Sequence, residues 1–170
     1  MITKKTSEPY VNAAAVLRRL AELEQDGVNF YHGLSEGAES EWVRKFAGKM
    51  VLAEQRHHDR FLRYAEHVEK HTGEKESQLS GPLSGDIVRL LQVSVFADRE
   101  HAKRSARYVS DADSLRVAIR AEEHLALLMA QLRMYIPKPQ RPYIDRVIKE
   151  EWGHKANLEK ILAQRLPGGR

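Results

Sequence analysis

Apolar residues recur at i, i+3, i+4 and i+7 along almost the whole chain, and the alternation of apolar and polar residues that marks strands is absent. Prolines fall at 9, 82, 137, 139, 142 and 167, none inside a long periodic stretch. This pattern leaves one broad outcome, an all-α fold. The spacing predicts five helices at roughly 10–34, 39–71, 84–109, 113–136 and 141–165. The stretch from His71 to Gly85 is the one substantial loop, and the shorter links imply antiparallel neighbours. At 170 residues the whole chain, 1–170, is expected to form a single helical domain, with 72–112 its least regular part and 166–170 a frayed tail.

The apolar stripes carry an irregularity that decides the rest. The first helix aligns Val16, Leu17, Leu20, Leu23, Gly27, Phe30, Tyr31 and Leu34, with Glu24 among them. The second aligns Val43, Phe46, Ala47, Met50, Ala53, Phe61, Tyr64 and Val68, with Glu54 and His57 in the row. The fourth runs Leu115, Ala118, Ile119, Leu125, Met129, Leu132 and Ile136 around Glu122, with Glu123 on the edge. In the fifth, Glu151 and His154 interrupt Ile144, Val147, Ile148, Leu158, Ile161 and Leu162. Four helices thus point a carboxylate at the core, and two add a histidine one turn later. Glu24 precedes Glu54 by 30 residues and Glu122 precedes Glu151 by 29, so both halves repeat one order.

An unpaired buried carboxylate costs several kcal/mol even after relaxation. The stripes hold no Lys or Arg at these levels, whereas two divalent ions would balance four carboxylates. Glu-x-x-His places both groups on one helix face, and the chain has no cysteine, so any metal must be held by His, Asp and Glu. Imidazole and carboxylate suit iron or manganese. One Glu from each of two helices plus Glu-x-x-His from each of two others is the ligand set of bundle di-iron and di-manganese proteins. The competing reading is a bundle whose inner Glu and His hydrogen-bond one another.

The segment Leu20-Ala-Glu-Leu-Glu24-Gln-Asp-Gly27-Val-Asn-Phe30-Tyr31 resembles the first helix of the rubrerythrin-like branch of the ferritin-like superfamily. Ala53-Glu54-Gln-Arg-His57 is similar to the second-helix motif, Ala118-Ile119-Arg-Ala-Glu122 to the third, and Lys149-Glu150-Glu151-Trp-Gly-His154 to the fourth. The resemblance implies a ferritin-like antiparallel four-helix bundle with one extra helix in the crossover. It also implies a non-haem centre of two iron ions that reduces peroxide or oxygen. On that resemblance Glu54 and Glu151 bridge the metals, Glu24 and Glu122 are terminal ligands, and His57 and His154 hold one metal each. Three departures stand out. Leu125 and Leu128-Met129 replace the small residue and aromatic pair of the third motif. Asp98-x-x-His101 lies on the extra helix, so Asp98 or Glu100 is an alternative to Glu122 as ligand. A chain without cysteine cannot contain the Cys-bound iron domain that delivers electrons in rubrerythrins proper, so either a separate electron donor protein reduces the site or steady peroxide reduction is not its task.

Other functions are weighed on composition. The net charge is +4 and the pI about 9.3, but Lys and Arg alternate with Glu and Asp, as on solvated helix faces. Nucleic acid is therefore not the expected partner. No run of 18 apolar residues exists to span a membrane, and the stretch Ala13–Leu17 is too short for a signal-peptide core, so a cytoplasmic location is expected. A ferroxidase that handles iron as substrate and a metal-free binding scaffold are the other functional readings. Trp42 and Trp152 are read as helix-packing or subunit-contact residues, and a homodimer or higher homo-oligomer is expected. Gly27 and Gly153 either give room for the site or access to it, or allow close helix packing. Tyr31 either hydrogen-bonds a ligand carboxylate or is a core aromatic. His32, His58, His67, His71 and His124 are read as surface histidines.

Overall fold

The structure, a computed structural model, describes residues 12–73, 78–93, 96, 100, 101, 104 and 110–165. Among these it is all helical: α1 (Ala13–Gly37), α2 (Glu41–His71), α3 (Gly85–Gln92), α4 (Asp111–Leu132) and α5 (Arg141–Arg165). A single 3-10 turn, Lys138–Gln140, leads into α5, and one isolated bridge pairs Asn12 with Gln78. Local chemistry explains the starts. Asn12, Ser84 and Ser110 each offer a side-chain oxygen to a backbone N–H of the first turn, of Ala15, Ile87 and Asp113 respectively. The start of α2 is satisfied from elsewhere: the Asp111 carboxylate accepts from the N–H groups of Glu39 and Ser40 at 3.1 and 2.9 Å. That contact also fixes the start of α4 beside the start of α2.

α2 runs back along α1, and Arg18 near the beginning of α1 pairs with Glu69 near the end of α2 at 2.6 Å. α4 and α5 pack together in the same way, with Arg133 and Asp145 paired near their connection. The two pairs meet across a shared core. Tyr31 of α1 reaches Glu122 of α4, His57 of α2 reaches Glu150 of α5, and the rings of Tyr64 and Tyr143 stack at 3.9 Å. The inward stripes read from sequence are the buried ones, among them Leu17, Leu20, Leu23 and Leu34 of α1 and Leu125, Met129 and Leu132 of α4. Phe46, Tyr64, Ile119, Ile148 and Ile161 are half-buried at its margin. Trp42 also packs on this margin, whereas Trp152 is exposed.

The third helix departs from expectation. In place of one helix over 84–109, α3 ends at Gln92, and Val93 takes an extended conformation with φ −106° and ψ 130°. Its N–H bonds back to Leu90 O, a tight last turn, and its side chain is exposed. Leaving the helix here lets Phe96 turn into the core, where it packs on Phe30 and Tyr31 at ring distances of 5.5 and 6.0 Å. Glu100 and His101 are exposed, so Glu100 is not a substitute for Glu122. Asp98 and the tail 166–170 lie outside the described residues. The remaining boundaries moved by a few residues: α1 runs on to Gly37, and α4 starts at Asp111 and ends at Leu132, before a turn that still buries Ile136.

Candidate metal centre

Glu24, Glu54, Glu122 and Glu151 sit near the middle of α1, α2, α4 and α5, and all four are fully buried. Each is carried inward because it occupies a position of an apolar stripe; the helix that buries its leucines buries its carboxylate with them. His57 and His154 follow one turn after Glu54 and Glu151, and their rings stack across the core at 5.3 Å. One ligand atom from each of Glu54, His57, Glu151 and His154 falls within a span of 4.8 Å.

The contacts sort into two groups. His57 Nδ1 lies 2.5 Å from Glu151 Oε1, 3.6 Å from Glu24 Oε2 and 3.9 Å from Glu54 Oε2. His154 Nδ1 lies 3.2 Å from Glu151 Oε2, 3.3 Å from Glu54 Oε1 and 3.4 Å from Glu122 Oε2. Glu54 and Glu151 therefore turn one oxygen toward each histidine, while Glu24 stands beside His57 and Glu122 beside His154.

Hydrogen bonding leaves this cluster conspicuously short. Both oxygens of Glu24, both of Glu54 and Glu122 Oε2 are buried without a hydrogen-bond partner, and His57 Nδ1 and Glu151 Oε1 have only each other. Native structures hold only a few such groups per hundred residues or so, scattered rather than clustered, and each costs about 1–3 kcal/mol. Five orphaned carboxylate oxygens facing one spot, beside the close His57–Glu151 pair, fit a bound cation. Internal pairing, the competing reading of the sequence, satisfies only part of the cluster, through His154 Nδ1 with Glu151 Oε2, His57 Nδ1 with Glu151 Oε1, and Tyr31 to Glu122 Oε1.

Without a metal, protons take its place. Burial, and then the Glu151 charge, push the Glu24 and Glu54 carboxyls well above the ordinary range, and raise Glu122 to about 8. Burial acts the same way on Glu151, but the adjacent His154 and His57 overcome it and hold that carboxyl below its usual value. For the imidazoles, burial opposes the charge and the carboxylates win: His57 rises to about 9, chiefly through Glu151, and His154 to about 10, through Glu122 and Glu151.

Two supports were not anticipated from sequence. His57 Nε2 donates to Glu150 Oε2 at 2.7 Å, and Arg60 Nη1 donates to both Glu150 oxygens at 3.0 Å. Since a carboxylate only accepts, this bond places a proton on Nε2 and turns Nδ1 to the cluster. A cation does therefore approach the site, one layer out. The available signal was the Glu150-Glu151 doublet: in a helix the first Glu points about 100° away from the second, toward the neighbouring α2. Tyr31 is both a core aromatic and a partner of the site, because its buried hydroxyl donates to Glu122 Oε1. Burial, and then the Glu122 charge, keep that phenol neutral.

The two glycines separate. A Cβ on Gly27 would stand 3.2 Å from Phe96 Cε2 and 3.3 Å from Glu54 Cγ, so the missing side chain makes room at the cluster. Gly153 is exposed and a Cβ there would meet nothing within 4 Å, so it neither makes room at the cluster nor serves close helix packing. His32, His67, His71 and His124 are exposed; His58 is half-buried, 2.9 Å from Asp59 and 3.2 Å from Gln55. No helix among the described residues is long and apolar enough to cross a membrane. No family model, curated protein or solved structure matches the chain.

Proposed function

We propose that this chain is a ferritin-like four-helix-bundle carboxylate protein that holds two transition-metal ions, iron foremost, and reduces peroxide or oxygen. The observation that carries the reading is the division of Glu54 and Glu151, each with one oxygen toward His57 and the other toward His154. Two carboxylates shared between two imidazoles, with Glu24 and Glu122 at the outer ends, make a ligand set for two ions. The donor types suit iron and manganese alike. A bound pair supplies redox chemistry to a small oxidant.

The chain's own residues prepare the site. Glu54 and Glu151 offer an oxygen to each side, and their negative charge is what a divalent pair would offset. Glu150 holds the proton of His57 Nε2 and so presents Nδ1 as the ligand atom; Arg60 anchors Glu150. Tyr31 orients Glu122 through its hydroxyl. Phe30, Tyr31 and Phe96 form an apolar wall beside Gly27 and the buried Glu54. With no cysteine for an internal redox centre, electrons reach the site from a separate donor protein. A homodimer or larger homo-oligomer is part of the same proposal.

The test is elemental analysis of tag-free protein grown with added iron, beside Glu54→Ala/Glu151→Ala protein. About two irons per wild-type chain, lost in the variant, and stoichiometric oxidation of the reduced protein by peroxide or oxygen are the expected results. No transition metal after anaerobic Fe(II) reconstitution would overturn the reading. Retention of iron far beyond two per chain, inside a closed multimer, would move the assignment to iron handling by a ferroxidase.

A further inference from the structure

The two Glu-x-x-His turns face the same carboxylates but differ in what stands behind them. The His57 side chain is 2% exposed, and its outer nitrogen is fixed by Glu150, itself fixed by Arg60. The His154 side chain is 16% exposed, and among the described residues its hydrogen bonding is confined to Nδ1 and Glu151. The sequence contains the cause. The residue before Glu151 is Glu150, which reaches the histidine of the opposite helix, whereas the residue before Glu54 is Ala53, which has nothing to reach with.

The carboxylates differ in the same sense. Both Glu24 oxygens are free of hydrogen bonds and available to chelate, while one Glu122 oxygen is already engaged by Tyr31. The surroundings agree. Phe96 covers Gly27, one turn after Glu24, and packs on Phe30 and Tyr31. His154, by contrast, stands partly at the surface.

Resting on the metal reading above, we infer that the centre consists of two unequal subsites. A closed subsite of Glu24 and His57, backed by Glu150 and Arg60, takes the first divalent ion and keeps it. An open subsite of Glu122 and His154 loads second and exchanges with solvent past the partly exposed His154 ring. An imidazole whose far N–H is held by a carboxylate has a fixed tautomer, a fixed ring orientation and greater basicity, and losing that partner costs about 10- to 100-fold in metal affinity. Glu150 and Arg60 are positioning residues, and their effect must fall on one subsite.

The probe is Co(II), titrated anaerobically into the metal-free full chain and followed by visible absorption and calorimetry. Two steps about 10- to 100-fold apart are expected, and a chelator should strip one equivalent quickly and the other slowly. Glu150→Gln should weaken the first step by that factor and leave the second unchanged, so that the two merge. Glu150 lies partly at the surface, and circular dichroism of the metal-free variant verifies its fold. His154→Ala should retain one tightly held equivalent. Two equivalents of equal affinity leaving at one rate would overturn the inference while preserving the two-metal reading. So would equal weakening of both steps by Glu150→Gln, or loss of both equivalents in His154→Ala. Absence of any binding by the wild type would overturn the metal reading itself, and this inference with it.

Discussion

α1 and α4 each bury one lone glutamate, and they accommodate it by different means. Glu24 is followed three residues later by Gly27 and then by Phe30 and Tyr31; Glu122 is followed by Leu125 and then by Leu128 and Met129. Around Glu24 the chain gives up a side chain, so that Glu54 and Phe96 can close in. Around Glu122 the core is filled with leucine and methionine, and the carboxylate is supported from across the core by Tyr31 of α1. α1 therefore serves both halves. The lesson is that a repeated order of ligands in sequence does not entail equivalent environments, because each ligand's support comes from a different helix.

The largest expected effect follows from the unequal hydrogen bonding of the two glutamates. In metal-free protein, Glu24→Met replaces a carboxyl with two orphaned oxygens by an apolar group of similar size. It should raise stability by about 1–4 kcal/mol. Glu122→Met should gain less, since it strands the buried Tyr31 hydroxyl at a cost of about 1–3 kcal/mol. Urea unfolding of both variants measures the gap, and equal gains would break the comparison. Both substitutions should lower metal content.

pH acts on both halves through the groups already described. Glu122, His57 and His154 have raised values in the fold, so the stability each contributes is fully present below its unfolded value and is lost as pH rises through about 8, 9 and 10 respectively. Glu151 is lowered, so its contribution is lost as pH falls below the ordinary carboxylate range. Metal-free protein should therefore be most stable near about pH 5, and its melting temperature should fall steadily from there to pH 9. Metal-loaded protein, whose ligands are already deprotonated, should show a much flatter profile over the same range. A metal-free melting temperature that rose between pH 6 and 9 would contradict the proton balance assigned to the cluster.

The glycines provide a finer comparison. Gly153→Ala meets open space and should stabilise α5 by about 0.5–1 kcal/mol through helix propensity. Gly27→Ala makes the same propensity gain but presses on Phe96 and the buried Glu54, an overpacking cost of about 1–3 kcal/mol. Thermal unfolding should separate the two by about 1–3 kcal/mol, and similar shifts would show that the Gly27 pocket is slack. The smallest effects belong to the surface pairs, Arg18 with Glu69 and Arg133 with Asp145, all about half-exposed. Glu69→Ala and Asp145→Ala should each cost under about 1 kcal/mol, and less still in high salt.

Much of this could be read before any coordinates. The apolar period located α1, α2, α4 and α5 to within a few residues, because a stripe that must face a core reports its own helix. The six candidate ligands were legible for the related reason that a carboxylate in an apolar row has nowhere to go but inward. α3 was misjudged: its apolar residues continue in helical phase past Gln92, yet the chain turns extended at Val93 so that Phe96 can fill space beside Gly27. That preference belongs to the packing and leaves no local mark. Glu150 and Arg60 were missed because both lie off the stripes, and only the neighbouring helix shows that they meet over His57.

By itself, then, the sequence determined the helices, their buried faces and the chemical types that converge in the core, since periodicity and the cost of burying charge act within each helix. The tertiary structure decided which oxygen faces which imidazole, which histidine is backed by a carboxylate, where Phe96 packs and which side stands open. Those are relations between helices, set by the rotation of each against its neighbour, and no single helix contains the information.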